Sequence, residues 1–428
     1  MAVGAFLEPA VVVSLLAFGT IVNRNRSLAA ISRSRLTSSR PEPWQHLKYT
    51  PDPEKEDVEI GKAKDDERTL LPSTLSRSSS SSSNTLTEDV SSKTTSKWRQ
   101  RRLRFMNWER EVTIPNTEIF RDRFLSRVLQ RFPFLVEVWY WALIYWVYQL
   151  GRAFTAVTLL ESTVDTAREH ALQVIHIEQR LGMFVEPAVQ QWFLEQPTLM
   201  RWTNKTYSFI HIPGTILYLI ILYNITTARP RHRLQEAHGD KSVLGDNWRD
   251  RAPPFGPAIF ERRRRTMAMC NLLAFIVFTF WPCMPPRLLS DPSYTGEYAK
   301  EAKGFGFVDT VHGADGDSSV WTTNRFCNQY AAMPSLHFGY SFLIGLTVAV
   351  VPLRKRGRLG WRRLAITCIG MIYPAVILTA IVATANHFIL DAVAGAIACV
   401  LAWNLNDVLL NLVPLEDYFL ALVRIHKP

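Results

Sequence analysis

The sequence predicts an all-α protein, a polytopic membrane helical bundle with a six-helix core, preceded by an N-terminal apolar anchor and a disordered polar tail. Three observations predict it. Apolar runs recur at 134–150, 207–226, 267–289, 335–353, 364–385 and 388–413, most of them near the roughly 20 residues a helix needs to cross a bilayer core. The connections alternate in charge: 227–266 holds ten basic and five acidic residues and 354–363 six basic and no acidic one, whereas 156–205 and 290–327 hold more acids than bases. Basic connections stay cytosolic, so each loop acquires a side. The net charge of +11 would suit nucleic acid in a soluble chain, but here the basic residues flank the spans, which argues against that partner.

Residues 2–22 are apolar apart from Glu8, and Asn23-Arg24-Asn25-Arg26 follows them. A cleaved signal carries its positive charge ahead of the apolar run, so 1–22 reads as a membrane anchor with its N-terminus outside, the alternative being a mitochondrial-type or peripheral segment. Residues 23–96 are Ser-rich, with six consecutive serines at 78–83. They cannot bury enough apolar surface to fold and read as a disordered cytosolic linker. Between 97 and 133, ten Lys/Arg stand against four Asp/Glu, with Trp98, Phe105, Met106 and Trp108 interleaved. This basic juxtamembrane segment suits either anionic headgroups or a solvated charge cluster. The catalytic membrane domain follows at 134–413, and 414–428 is a cytosolic tail.

Within the outer loops, 161–205 reads as amphipathic helix lying along the interface over the site, with Glu178, Gly182 and Glu186 at i, i+4 and i+8. The stretch 291–316, rich in Gly, Asp and Tyr, reads as a mobile lid. Asn204-Lys205-Thr206 is an N-glycosylation acceptor sequence on the outer side. Five cysteines without CxxC spacing make no zinc or redox motif. Cys270, Cys368 and Cys399 fall in apolar spans, and Cys283 and Cys327 are candidates for a disulfide.

The chemistry lies in three elements that the alternation puts on one membrane face: Pro285-Pro286-Arg287, Met333-Pro334-Ser335-Leu336-His337 and Asn386-His387-Phe388-Ile389-Leu390-Asp391. His387 and Asp391, four apart, share a helical face, so the carboxylate can orient the imidazole as a nucleophile. Arg287 supplies a forked cation for phosphate oxygens, and the Ser335 hydroxyl can donate to them. His337 is left to protonate the departing oxygen. The chemistry needs no metal, and the sequence holds no HExxH or acidic cluster beside these histidines. His211, one turn inside the second span, is either a packed bundle histidine or a pocket residue.

These three elements resemble the signature motifs of the type 2 phosphatidic acid phosphatase superfamily. The wording Ala-Ala-Met-Pro-Ser-Leu-His at 331–337 and Ala-Asn-His-Phe-Ile-Leu-Asp at 385–391 is similar to its inositolphosphotransferase branch, which contains inositol phosphorylceramide synthase. The resemblance covers 134–413. It implies a six-helix membrane core, a lumenal or extracellular site, and catalytic roles for His337, His387 and Asp391. Departures from the commoner pattern are Phe280 in place of a lysine, and Ala380 and Ile381 in place of a Ser-Arg pair. Arg325, Asn328 and Asn386 are candidates to replace the lost phosphate contacts. Fewer cations fit a singly charged phosphodiester better than a phosphate monoester.

The expected activity is that of a membrane-embedded lipid phosphotransferase or phosphoesterase passing through a phosphohistidine, with a ceramide-like hydroxyl as one acceptor for an inositol-phosphate-type headgroup. The alternatives are a lipid phosphate or polyprenyl diphosphate phosphatase and, from another class, a non-catalytic membrane scaffold. Expected partners are the bilayer, phospholipid and ceramide substrates and an accessory membrane subunit. The expected location is the Golgi, another endomembrane or the plasma membrane.

Overall fold

The computed structural model describes residues 2–25, 96–105, 108–157, 161–231, 256–310, 329–351 and 360–428. Nearly all of the linker predicted at 23–96, together with Cys327, Arg325 and Asn328, lies outside the described residues. The helices are α1 (Ala2–Val22), α2 (Phe124–Arg131), α3 (Phe134–Val157), α4 (Glu161–Arg180), α5 (Glu186–Leu194), α6 (Pro197–Lys205), α7 (His211–Tyr223), α8 (Pro257–Phe280), α9 (Ala299–Gly304), α10 (Leu336–Ala349), α11 (Trp361–Ala383), α12 (Ile389–Leu405) and α13 (Val413–Leu422). Each of the six apolar runs is helical over most of its length. By length and composition, Pro197–Arg231, Trp361–Ala383 and Ile389–Leu422 can each cross a membrane, and Leu336–Ala349 is a shorter apolar helix.

The helical membrane bundle is held by close backbone approaches. At the α10–α11 crossing, a Cβ added to Gly345 would stand 2.7 Å from the Gly370 carbonyl oxygen. Small residues permit such contact where no hydrophobic force drives helices together in lipid. At the α10–α12 crossing, a Cβ on Gly395 would meet the Ser335 carbonyl oxygen at 2.4 Å. Because that obstacle is main chain, Gly395→Ala is expected to force the helices apart. Thermal melting should show a loss of about 1–3 kcal/mol, the usual cost of overpacking, with activity falling beyond what the stability loss explains.

The structure adds elements that the sequence did not predict. The basic segment contains a two-stranded antiparallel hairpin, β1 (Trp98–Phe105) and β2 (Trp108–Pro115), paired from Trp98 opposite Pro115. Arg102 stands opposite Glu111 and also reaches Glu109, at 3.5 and 3.7 Å. Opposite charges across strands favour pairing. The C-terminal segment 414–428 carries most of α13, whose Asp417 reaches Arg99 and Arg101 of β1, at 3.5 and 3.3 Å, and whose Tyr418 hydroxyl donates to the Thr113 carbonyl at 2.9 Å. The third run leaves helix after Phe280 and closes with a 3-10 turn at Pro286–Leu288.

The amphipathic loop is also not one helix. It breaks at Gly182, whose φ of +66° is a left-handed conformation that glycine adopts without penalty. The described part of the expected lid, 291–310, is docked. Gln190 receives the Val308 N–H at 3.0 Å, and its amide donates to the Val308 carbonyl at 2.9 Å. Asn204 donates its side-chain nitrogen to the Thr310 carbonyl at 3.1 Å and is buried. That nitrogen would carry a glycan, so the acceptor sequence is closed in this fold.

Candidate active site

Main-chain hydrogen bonds lace the three motif segments together. The Cys283 N–H donates to the Tyr330 carbonyl at 2.9 Å, and the Ala332 N–H returns to the Cys283 carbonyl at 3.0 Å. The Arg287 N–H reaches the Ala385 carbonyl and the Ser335 N–H the Asp391 carbonyl, each at 2.9 Å. Ala385 sits at φ 50° in the turn that ends α11. For a residue with a Cβ this costs about 1–2 kcal/mol, and the surrounding bonds hold it there. Over this frame lies α4, whose buried Ala167, Ala171, Val174 and Ile175 pack with Cys283, Met284, Ala332 and Phe388. Cys283 is a buried free thiol.

Arg287 is almost wholly buried. Its Nε donates to Asn386 Oδ1 at 2.9 Å and one terminal nitrogen to Asp309 Oδ2 at 2.8 Å. The Asn386 amide nitrogen donates in turn to the Thr384 hydroxyl at 2.7 Å, so the side chain is fixed with its oxygen toward the guanidinium. Asn386 therefore positions the arginine. Ile381, where the commoner pattern has a cation, is fully buried among apolar side chains, and Phe280 is exposed at the end of α8.

His387 is buried, with Nδ1 2.8 Å from the Ala332 carbonyl oxygen. A carbonyl only accepts, so in the neutral ring Nδ1 carries the proton and Nε2 keeps its lone pair. Asp391 Oδ2 lies 3.4 Å from the same Nδ1. Its own hydrogen bond comes from the Phe388 N–H at 2.9 Å. The tautomer is thus set by Ala332, with the Asp391 charge behind it. His337, on the first turn of α10, has its ring centroid 5.9 Å from that of His387, 4.5 Å from that of Tyr207 and 4.7 Å from that of His211. His211 is both packed and pocket-lining: its Nδ1 is 3.1 Å from the Tyr373 hydroxyl, and its ring borders a cavity. Ser335 is buried as the N-cap of α10, its hydroxyl receiving the Phe338 N–H at 3.4 Å.

Two acids missed as site residues hold the helix that follows His387. Glu186 Oε1 accepts the Ile389 N–H at 2.9 Å and Glu178 Oε1 the Leu390 N–H at 2.7 Å; both side chains are fully buried. With Asp391 they satisfy three of the unpaired donors at the start of α12, where negative charge is favourable. The available signal was the buried stripe of α4, since Glu178 continues the spacing of Ala167, Ala171 and Val174.

Burial, helped by the neighbouring Glu186 carboxyl, raises the Glu178 pKa. A carboxyl raised above its unfolded value of about 4.3 contributes its full stability below that pH and loses it as pH rises toward the folded value. Glu178→Gln keeps an acceptor for Leu390 and cannot ionise. Its melting temperature should gain on wild type as pH increases from about 5 to 8, with a slope of up to about 1.4 kcal/mol per pH unit. A gap independent of pH would show that Glu178 is ionised throughout.

Fold and site together define an integral membrane protein with a buried arginine, two histidines and a carboxylate gathered where apolar helices end. In a comparison with protein-family models, that of the PAP2 superfamily matches residues 172–237 and 255–405, about half of the chain and all three motifs. The chain belongs to the PAP2 superfamily, and in general class is a phosphatase- or phosphotransferase-type lipid enzyme. No curated protein and no solved structure matches it.

Proposed function

We propose that the protein is a lipid phosphotransferase that takes the phosphorylated headgroup of a phosphodiester lipid onto His387 and passes it to a lipid hydroxyl. The observation that carries the choice of a phosphodiester is the charge count around Arg287. Asp309 is salt-bridged to the guanidinium, and Phe280, Ala380 and Ile381 stand where the commoner pattern supplies polar or cationic groups. Among the described residues the site thus holds fewer cations than the commoner pattern supplies, a shortfall that weighs more against a dianionic monoester than against a monoanionic diester.

His387 Nε2 attacks phosphorus while the P–O bond to the diacylglycerol-type leaving group breaks, and His337 gives that oxygen its proton. Positive charge on the phosphorylated ring is met by Asp391 at 3.4 Å. An acceptor hydroxyl then gives its proton to His337 and attacks phosphorus, and the P–N electron pair returns to His387. The wording of the second and third motifs favours an inositol-phosphate-type headgroup and a ceramide-like acceptor. Arg262 to Arg265 lie in the first half of α8, and its other end leads to Arg287. By the positive-inside rule this favours a site on the lumenal or extracellular face.

Product analysis with a labelled phosphodiester lipid, with and without ceramide, tests the reading. Label in a new sphingolipid only when ceramide is present is the expected result. Inorganic phosphate as the sole product under both conditions would instead identify a phosphatase.

A further inference from the structure

His337 forms a shared wall. On one side stand His387 and the Arg287 segment; on the other, a cavity of about 280 Å³ runs down the bundle between α3, α7, α8 and α10. His387, Arg287, Asn386 and Asp391 do not border this cavity. Its walls are mostly apolar, with Trp141, Ile144, Ile216 and Leu219 among them, and its far end reaches Glu137 and Arg264, which are paired at 2.8 Å.

The end nearest His337 is polar. Ser208 lines it and is 94% buried, yet its hydroxyl has no hydrogen-bond partner among the described residues. A buried hydroxyl without a partner costs about 1–3 kcal/mol, a cost removed when a bound molecule supplies the missing bond. Ser208 lies in a π-helical turn, Thr206–Ile210, whose wider winding sits directly before His211. Single π-turns of this kind are frequent at functional sites.

We infer that this cavity binds the acceptor, a long-chain lipid alcohol whose hydroxyl lies between Ser208 and His337 and whose chain runs along Ile216 and Leu219 toward Trp141. The assignment rests on the transferase reading for its purpose, but not for its geometry. The hydroxyl proton moves to the unprotonated nitrogen of His337. The oxygen forms its bond to phosphorus from the side of that histidine, and the P–N bond to His387 breaks with its electrons returning to the imidazole. The donor's lipid and the acceptor's chain thus lie in separate compartments while their oxygens meet phosphorus in turn on the His337 side, and a bound acceptor displaces the water that would compete there. A short alcohol lacks the burial that would hold it, since each methylene contributes about 0.8 kcal/mol.

The test uses the full-length protein in lipid nanodiscs and a hexadecanol carrying a diazirine, a probe whose cross-linking does not depend on turnover. Label is expected on peptides spanning 207–219 and 336–340, and is expected to fall at least about fivefold in Ala268→Phe, which adds a ring to the cavity wall. Label spread over the outer surface of the bundle, or unchanged in a folded Ala268→Phe, would overturn the inference. In parallel, Ser208→Ala should lower the ratio of transfer to hydrolysis by about 5- to 10-fold, the kinetic equivalent of one hydrogen bond. An unchanged ratio would also count against the assignment. If the wild type cleaves no phosphodiester lipid, the proposed reaction fails, and the cross-linking result still decides the binding site.

Discussion

Replacing His387 with alanine is expected to lower donor cleavage by at least about a thousandfold, some 4 kcal/mol of transition-state stabilisation, and to leave the protein folded. The size follows from the proposed role, because His387 is the histidine whose ring a main-chain carbonyl holds with its Nε2 lone pair free. His337 is a half-buried neighbour stacked on Tyr207, and among the described residues no carbonyl stands to its Nδ1 as Ala332 does to that of His387. The structural penalty is small by comparison. Ala332 loses one hydrogen bond, worth about 1 kcal/mol, while the main-chain bonds from Cys283 to Tyr330 and from Ser335 to Asp391 persist. Initial rates on a labelled phospholipid, with melting curves on the same preparations, separate the two effects. Rapid-quench labelling of the protein should give a histidine-bound adduct in wild type and none in the variant. Residual turnover above about a tenth of wild type would remove His387 as the nucleophile.

Arg287 carries the second large effect, and its loss has two components that can be measured apart. On the mechanism proposed above, Arg287→Ala removes a donor to the phosphoryl oxygens, which by analogy with other oxyanion-stabilising donors is expected to lower kcat/KM by about 10²- to 10³-fold. It also takes from Asp309 the guanidinium paired with it at 2.8 Å, and breaking a largely buried pair in this way costs about 3–5 kcal/mol of stability. Asp309→Asn in the Arg287→Ala background is expected to recover much of the stability and none of the activity. Arg287→Lys keeps the charge without the fork that holds Asn386 and Asp309 together, so it should recover only part of the rate. Full activity in Arg287→Lys would mean that the site reads charge alone.

The spans and the three motifs were legible because each is written in local terms. Apolar runs such as 364–385 report a lipid environment residue by residue, and His387 and Asp391 are four apart on one helix. What escaped depends on distant pairing. Glu178 and Glu186 meet α12 across separations of 212 and 203 residues, and although the stripe of α4 turns Glu178 inward, it does not say which backbone the carboxyl caps. Asp309 sits in a loop whose Gly-rich composition suggested mobility, yet Gln190, Asn204 and Arg287 all fasten that stretch. The hairpin at 98–115 was hidden for a different reason: its strands carry cross-strand charge pairs such as Arg102 and Glu111 in place of the alternating apolar face by which a strand is usually recognised.

The lattice of backbone bonds beneath the motifs also governs how this protein can change over time. Since Cys283, Tyr330, Ala332, Ala385 and Asp391 contribute peptide groups there, whatever their side chains, the socket outlives its tools. Descendants could trade one reacting group for another, or lose the reaction and keep the vessel. Inert or repurposed members with an intact cradle are the expected by-product of such construction.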